Sequence, residues 1–221
     1  MLKQNVYFRT ILFSIVFFTF LFLPAGSFNF CEAWIYFAIF FGSTFFINGY
    51  FLKRDPELIE RRLNTKEKEK EQKIFQTISG GTFFVGLLVL PGLDYRFSWS
   101  DVPLYIVLVA DIIILIGFFI VFLVFKENSF TSAIIEVSEN QNVISTGPYA
   151  LVRHPMYTGA IFIILFTPLA LGSIWALIPS ISIIIFIVLR LLNEEKILLK
   201  ELNGYDKYCK KIRYHLIPHI W

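Results

Sequence analysis

The sequence predicts an all-α integral membrane protein with about six transmembrane helices, a C-terminal helical hairpin and amphipathic cytoplasmic helices. Three observations carry this. Of 221 residues, 56% are hydrophobic and 17% charged, whereas soluble domains run at about 45–50% apolar and about 25% charged. Several apolar runs approach the roughly 20 residues that a helix needs to cross a bilayer. The basic residues fall at the ends of these runs and in alternate loops. With six alternating spans and the N-terminus inside, 19 of the 20 Lys and Arg lie on the inner side and only Arg96 lies outside. The positive-inside rule then puts both termini and the 126–153 loop in the cytoplasm.

The predicted spans are 6–24, 29–50, 74–91, 102–125, 156–171 and 173–190. Lys3 and Arg9 before the first run have the outline of a signal peptide, but the rest of the chain is itself membrane-embedded, so the run reads as a span. Segment 53–73, "KRDPELIERRLNTKEKEKEQK", is charged at helical spacing. Asp55-Pro56 supplies its cap and first turn, and it reads as a solvated or interface-lying amphipathic helix. "SGGTFFVG" (79–86) lies inside a span and follows no strand, so its glycines read as helix-packing positions. The alternating stretch "SAIIEVSENQNVISTGPY" reads as a hairpin-like loop over the cytoplasmic mouth. The last two spans meet at Gly172-Ser173 as a tight hairpin. Pro168 and Pro179 should bend its arms, and the 156–171 arm is short for a full crossing. This divides the chain into residues 1–125, four spans with the 53–73 helix, and 126–221, the hairpin 155–190 with its flanking loop and tail.

The charge of +3 sits at membrane borders and indicates no nucleic-acid partner. Cys31 and Cys209 lack metal-ligand or disulfide spacing.

The polar residues that could carry chemistry cluster in the C-terminal part. In "TGPYALVRHPMYTGAI" (146–161), Gly147-Pro148 makes a turn. His154 precedes a proline and is pushed out of the helical region, and Pro155 suits the first position of a helix. His154 is therefore expected at a helix N-terminus, beside free backbone N–H groups that favour anions. For Arg153 and Tyr149, snorkelling at the headgroups is an equal alternative. Further on, Arg190 lies four residues before Glu194, so the two can pair along one helix face while Glu195 points elsewhere. Asp111, inside the fourth span, is either functional or held by a structural hydrogen bond to a neighbouring helix.

"GPYALVRHPMYTG" followed by "RLLNEEKILLKELNGYDKYCKKIRYHLIP" resembles the isoprenylcysteine carboxyl methyltransferase family and the wider membrane methyltransferases that include phospholipid N-methyltransferases. The order Gly-Pro-Tyr, Arg-His-Pro-x-Tyr, hairpin, Arg-x-x-x-Glu-Glu, Tyr-x-x-Tyr and Ile-Pro carries the resemblance. "RDPELIERRL" also resembles bacterial members, which implies a bacterial inner membrane. The resemblance implies S-adenosylmethionine as cofactor, S-adenosylhomocysteine as product, and a pocket built from the C-terminal helices. It implies that Tyr149, Arg153, His154, Pro155, Tyr157, Glu195, Tyr205 and Tyr208 hold the cofactor, and that Arg190 and Glu194 face the methyl acceptor, a lipophilic or lipidated molecule from the membrane. Many members carry an aromatic residue where this chain has Asn203, so the contacts that close the pocket are less fixed. The rival functions are phospholipid N-methylation, a sterol or steroid-type reductase using NADPH, and a non-enzymatic transporter or scaffold, for which the spans offer little polar lining apart from Asp111. Such reductases tend to lack the Arg-x-x-x-Glu-Glu arrangement.

Overall fold

Helices α1 (Leu2–Ala25) and α2 (Cys31–Arg54) form an antiparallel pair, in a computed structural model that describes residues 2–63, 70–134 and 141–221. Gly26 makes the reversal at φ +65°, and its N–H bonds the Phe22 carbonyl at 3.0 Å. Twenty-six phenylalanines explain how this pair coheres. Phe17 is fully buried and meets the Phe41 ring edge-on at 5.2 Å, with Tyr36 stacked at 6.0 Å. Such pairs contribute about 0.5–1.5 kcal/mol beyond area burial.

Asp55 ends α2 and caps α3 (Pro56–Leu63), accepting the Leu58 N–H at 3.1 Å. Pro56 opens α3 as expected, where its missing N–H costs nothing. Leu58 and Ile59 are buried against Val6, Ile47, Phe51 and Phe125. The expected single charged helix over 53–73 is therefore divided, with α3 folded onto the bundle; residues 64–69 lie outside the described residues.

Helix α4 (Lys70–Phe84) continues through a π-helical turn (Val85–Val89) into α5 (Leu90–Phe97). Pro91 lies two residues after the π turn ends and has no N–H to donate back into it. Gly86 lies in this turn against α8, where a Cβ would come 2.4 Å from Pro179 Cβ. Gly80 and Gly81 face open space, so of the expected packing glycines in this stretch only Gly86 packs closely.

Helices α6 (Leu104–Glu127) and α7 (Pro155–Ala170) pack against each other through Gly117 and Gly159. A Cβ on either would lie 2.8 Å from the other's carbonyl oxygen. Small residues permit this backbone approach, as at membrane helix crossings generally. Helix α8 (Leu177–Glu201) returns, and α9 (Tyr205–Lys211) follows after Gly204 at φ +85°. Among the described residues, five helical segments are long and apolar enough to cross a membrane: Leu2–Ala25, Cys31–Arg54, Thr77–Phe97, Leu104–Glu127 and Leu177–Glu201. The sixth expected span, α7, has 16 residues. At 1.5 Å per residue it is about 24 Å long. It nevertheless reaches the far end of the bundle, where Ser173 donates to buried Asp94. Asp94 also accepts the Ser100 N–H and hydroxyl, both at 2.7 Å, so it joins α5, the start of α6 and the α7–α8 connection.

The connection between α7 and α8 covers 171–176, longer than the expected two-residue link. Pro168 lies in the last turns of α7, and Pro179 in the first turn of α8, where a missing N–H is tolerated. Around the segment expected to form a hairpin-like loop, residues 135–140 lie outside the described residues. The described flanks, 132–134 and 141–146, contain no strand. Asp111 is buried on α6, and neither of its oxygens has a hydrogen-bond partner, so the expected structural bond to a neighbouring helix is not made.

Replacing Gly159 with alanine, and more strongly with leucine, is expected to lower stability. Overpacking costs about 1–3 kcal/mol, so thermal unfolding in detergent should rank wild type above Gly159→Ala above Gly159→Leu.

Candidate active site

At the end of the bundle that gathers the start of α7 and the charged half of α8, the chain encloses a cavity of about 430 Å³. Its floor is built by the Gly-Pro-Tyr turn. Gly147 has φ +55°, and a Cβ there would lie 2.9 Å from Glu127 Oε2; Thr146 donates its hydroxyl to the same carboxylate. The turn sets Tyr149, whose hydroxyl accepts the Asn128 amide at 3.0 Å. Burial pushes the Tyr149 phenol up to about 12, so it stays neutral. Tyr208 closes onto this turn by donating its hydroxyl to the Tyr149 carbonyl at 2.8 Å.

His154 caps α7 and Pro155 opens it, as the sequence predicts. The N–H groups of Arg153 and His154 are not free, however. They donate to the Tyr214 and His215 carbonyls, each at 2.9 Å, while the Tyr157 and Thr158 N–H groups turn back to the His154 carbonyl. The expected open cradle of backbone donors is thus largely satisfied by the C-terminal tail, which the Thr158 hydroxyl also ties through Leu216 O at 2.8 Å.

The His154 ring is buried, with Nε2 3.4 Å from the Tyr205 hydroxyl. Burial, reinforced by His215 and Arg153, pushes its pKa down to about 3. The imidazole is therefore neutral at physiological pH. Burial also raises the phenols of Tyr205 and Tyr208 above their ordinary range, so both are neutral hydrogen-bond donors.

Arg153 carries the charge of the lower wall. Its guanidinium pairs with Glu195 and lies 2.8 Å from His215 Nε2. The same Nε2 is 2.9 Å from the second Glu195 oxygen, and Trp221 stacks on the His215 ring at 4.6 Å. Arg153, Glu195 and His215 thus link the loop, α8 and the tail.

The upper wall is a second network. Tyr157 donates its hydroxyl to Glu194 at 2.6 Å and accepts from Arg190 Nε at 3.2 Å, so one phenol bridges the Arg190–Glu194 pair expected from helical spacing. Arg190 also donates to the Ala133 carbonyl at 3.0 Å.

Nine of the ten expected residues line this one cavity: Tyr149, Arg153, His154, Pro155, Tyr157, Arg190, Glu194, Tyr205 and Tyr208. Glu195 does not; the structure places it behind Arg153. Asp111 also lies off the cavity. Sequence reasoning missed Arg62, Asn128 and the 130–134 and 141–144 segments, which complete the lining. Arg62 lies one helical turn after Leu58 and so shares its face, but the burial of Leu58 is a property of the folded chain.

Within the described residues, Arg153 Nε and Thr131 Oγ1 are buried without a hydrogen-bond partner. Together with the tyrosine rings, these donors suit a ligand carrying a carboxylate, hydroxyls, an aromatic base and a cationic centre, and the volume falls in the usual ligand-site range of about 300–1,000 Å³. Aromatic faces attract such a cation. S-adenosylmethionine has all four groups, so the residues present fit it. Among the described residues no group of His, Cys, Asp and Glu side chains is arranged to hold a metal.

Residues 105–204 match the family described as phospholipid methyltransferase, a family of membrane methyltransferases related to the isoprenylcysteine carboxyl methyltransferases. No curated protein matches the chain. The matched stretch runs from α6 to Gly204 and contains most of the cavity, but Arg62, Tyr205 and Tyr208 fall outside it.

Because His154 is neutral in the fold but protonates in the unfolded chain below about 6.5, its contribution to stability is complete above that pH. It is lost as pH falls from there toward about 3. Wild-type stability should therefore decline more steeply between pH 6.5 and 4 than that of His154→Gln, measured by detergent-solubilised unfolding across the pH series.

Proposed function

We propose that this chain transfers a methyl group from S-adenosylmethionine to a lipophilic acceptor, with the carboxylate of an isoprenylcysteine-like molecule as the leading candidate. The observation that carries this is the mixed lining of the cavity. Polar groups from the loop, α8 and α9 share it with Phe118, Val121 and Ile163 of α6 and α7. A water-soluble donor and a membrane-soluble acceptor need such a meeting place.

In this reading Tyr149, His154, Tyr205 and Tyr208 surround the donor, and Arg153 offers its buried Nε to the donor's polar end. Glu195 acts through Arg153, fixing the guanidinium. When bound, the donor supplies an electrophilic methyl group on a positive sulfur. The protein's task is alignment, and orientation can supply about 7–11 kcal/mol of such a barrier. A carboxylate acceptor is already a nucleophile and needs no base. Arg190 orients it, and the Tyr157–Glu194 pair holds Arg190 in place and tempers its charge. Exclusion of water favours the reaction, because opposite charges are consumed in it.

An amine acceptor would have to lose a proton first, and Glu194 is the carboxylate on the cavity wall able to take it. The phospholipid methyltransferase match is compatible with that chemistry as well. The basic end of the bundle, which holds the cavity, faces the cytoplasm in this reading with both termini. Arg96 lies at the other end, 3.7 Å from a Cβ built on Gly26.

Calorimetry of detergent-purified protein with S-adenosylhomocysteine and with NADPH tests the donor. Binding of the former and not the latter is expected, and NADPH binding alone would sink the methyl-transfer reading. His154→Ala and Glu195→Gln should each weaken S-adenosylhomocysteine about tenfold or more, the scale of losing a hydrogen bond to a charged group. A labelled-methyl assay with prenylated cysteines, phosphatidylethanolamine and fatty acids then separates carboxyl from amine acceptors.

A further inference from the structure

Beyond α9 the tail turns back on itself. The Leu216 and Ile217 N–H groups both donate to the Trp221 carbonyl, at 3.0 and 3.1 Å, and His219 takes up φ +65° within the turn. The resulting hook leaves most of its apolar side chains uncovered. Leu216 is buried, but Ile217, Ile220 and Trp221 are 43%, 76% and 40% exposed. Large apolar groups gathered on one short exposed segment mark a surface that meets a partner or a membrane.

The position of the hook decides between these. Thr158 donates its hydroxyl to the Leu216 carbonyl at 2.8 Å, which fixes the hook beside the first turn of α7. From the next residue α7 reads Gly-Ala-Ile-Phe-Ile-Ile-Leu-Phe (159–166), with no polar side chain. The hook therefore lies where the apolar part of the bundle begins, at the depth of the lipid headgroups, which tryptophan favours. The charge beside it is positive. From Tyr205 onward, Lys207, Lys210, Lys211 and Arg213 are exposed, against one acidic residue, Asp206. Basic residues next to apolar ones that dip into the interface suit an anionic membrane surface.

The hook is also tied to the cavity. The Trp221 ring stacks on His215 at 4.6 Å, and His215 touches both Arg153 and Glu195. The carbonyls of Tyr214 and His215 accept the Arg153 and His154 N–H groups. Seating the hook thus steadies Arg153 and the cavity wall that His154 forms.

We propose that the tail hook is a docking surface for an anionic bilayer, and that its seating there orders the Arg153–Glu195–His215 cluster and tightens the methyl-donor site. Lipid acts here as a surface, not as a methyl acceptor. The docking stands by itself; its effect on the donor site rests on the methyl-transfer reading.

The test places the protein in nanodiscs of phosphatidylcholine, with and without phosphatidylglycerol, at low and high salt. Three quantities are read. One is quenching of Trp221 by lipids brominated on their acyl chains, taken as the difference between wild type and Trp221→Phe. The others are hydrogen exchange at the 153 and 154 amides, and S-adenosylhomocysteine affinity. With phosphatidylglycerol at low salt, Trp221 should be quenched more and the two amides should exchange more slowly. S-adenosylhomocysteine should then bind about fivefold more tightly, the lower end of a typical coupling between sites. High salt should remove these differences, because exposed charges are screened. A combined Lys207→Gln, Lys210→Gln, Lys211→Gln variant, altered only at exposed positions, should behave in both discs as wild type does in the neutral one. Three outcomes overturn the proposal. Trp221 is unquenched in both discs, as when a second copy covers the hook; quenching, exchange or affinity ignores phosphatidylglycerol; or the triple variant keeps the lipid dependence. Failure of S-adenosylhomocysteine to bind in either disc sinks the methyl-transfer reading instead, and quenching and exchange still decide the docking.

Discussion

The architecture of the cavity depends on how one charge is neutralised. The side chains of Arg153 and Glu195 are about one-tenth exposed, and a guanidinium so withdrawn from water needs a nearby anion. Breaking such a pair by removing one partner typically costs about 3–5 kcal/mol. Glu195 supplies that anion from α8, and His215 lies against both from the tail. The loop before α7, the C-terminal half of α8 and the tail are thereby brought to one point. The backbone ladder between 153–154 and 214–215 then follows. Beside these three segments, His154 faces Tyr205 and Tyr208 closes on the Tyr149 turn.

What could be read in the sequence was what local chemistry dictates. Apolar runs gave the long helices, Asp55-Pro56 gave the cap of α3, and His154-Pro155 gave the start of α7. The Arg190–Glu194 spacing put both side chains on one face. What could not be read came from tertiary contact. Helical spacing cannot show that Tyr157, 33 residues from Arg190, would bridge that pair. Nor can it show that the tail would occupy the backbone donors beside His154. Glu195 was expected to hold the cofactor through the family resemblance alone; one residue of rotation from Glu194, about 100°, turns it to the other side of Arg153. Arg62 was hidden in a run of alternating charges that reads as a solvated face, because the burial of Leu58 and Ile59 is visible only once α3 has folded back on the bundle.

The family match and the cavity do not coincide, and the mismatch is informative. The matched helices α6, α7 and α8 hold Arg153, His154, Tyr157, Arg190 and Glu194. The residues that close the space come from outside: Arg62 from α3, and Tyr205 and Tyr208 from α9. The cavity is therefore assembled from contacts between the matched helices and flanking segments, and neither part encloses it alone.

The linkage of Arg153 to the tail also sets how this end of the bundle comes apart. Arg153 lies 42 residues before Glu195 and 62 before His215, so the contacts that close this side are distant in sequence, and contacts of that kind form late in folding. All of them meet at one guanidinium. The loop before α7, the end of α8 and the tail are therefore coupled as one opening unit, distinct from the apolar helix pairs.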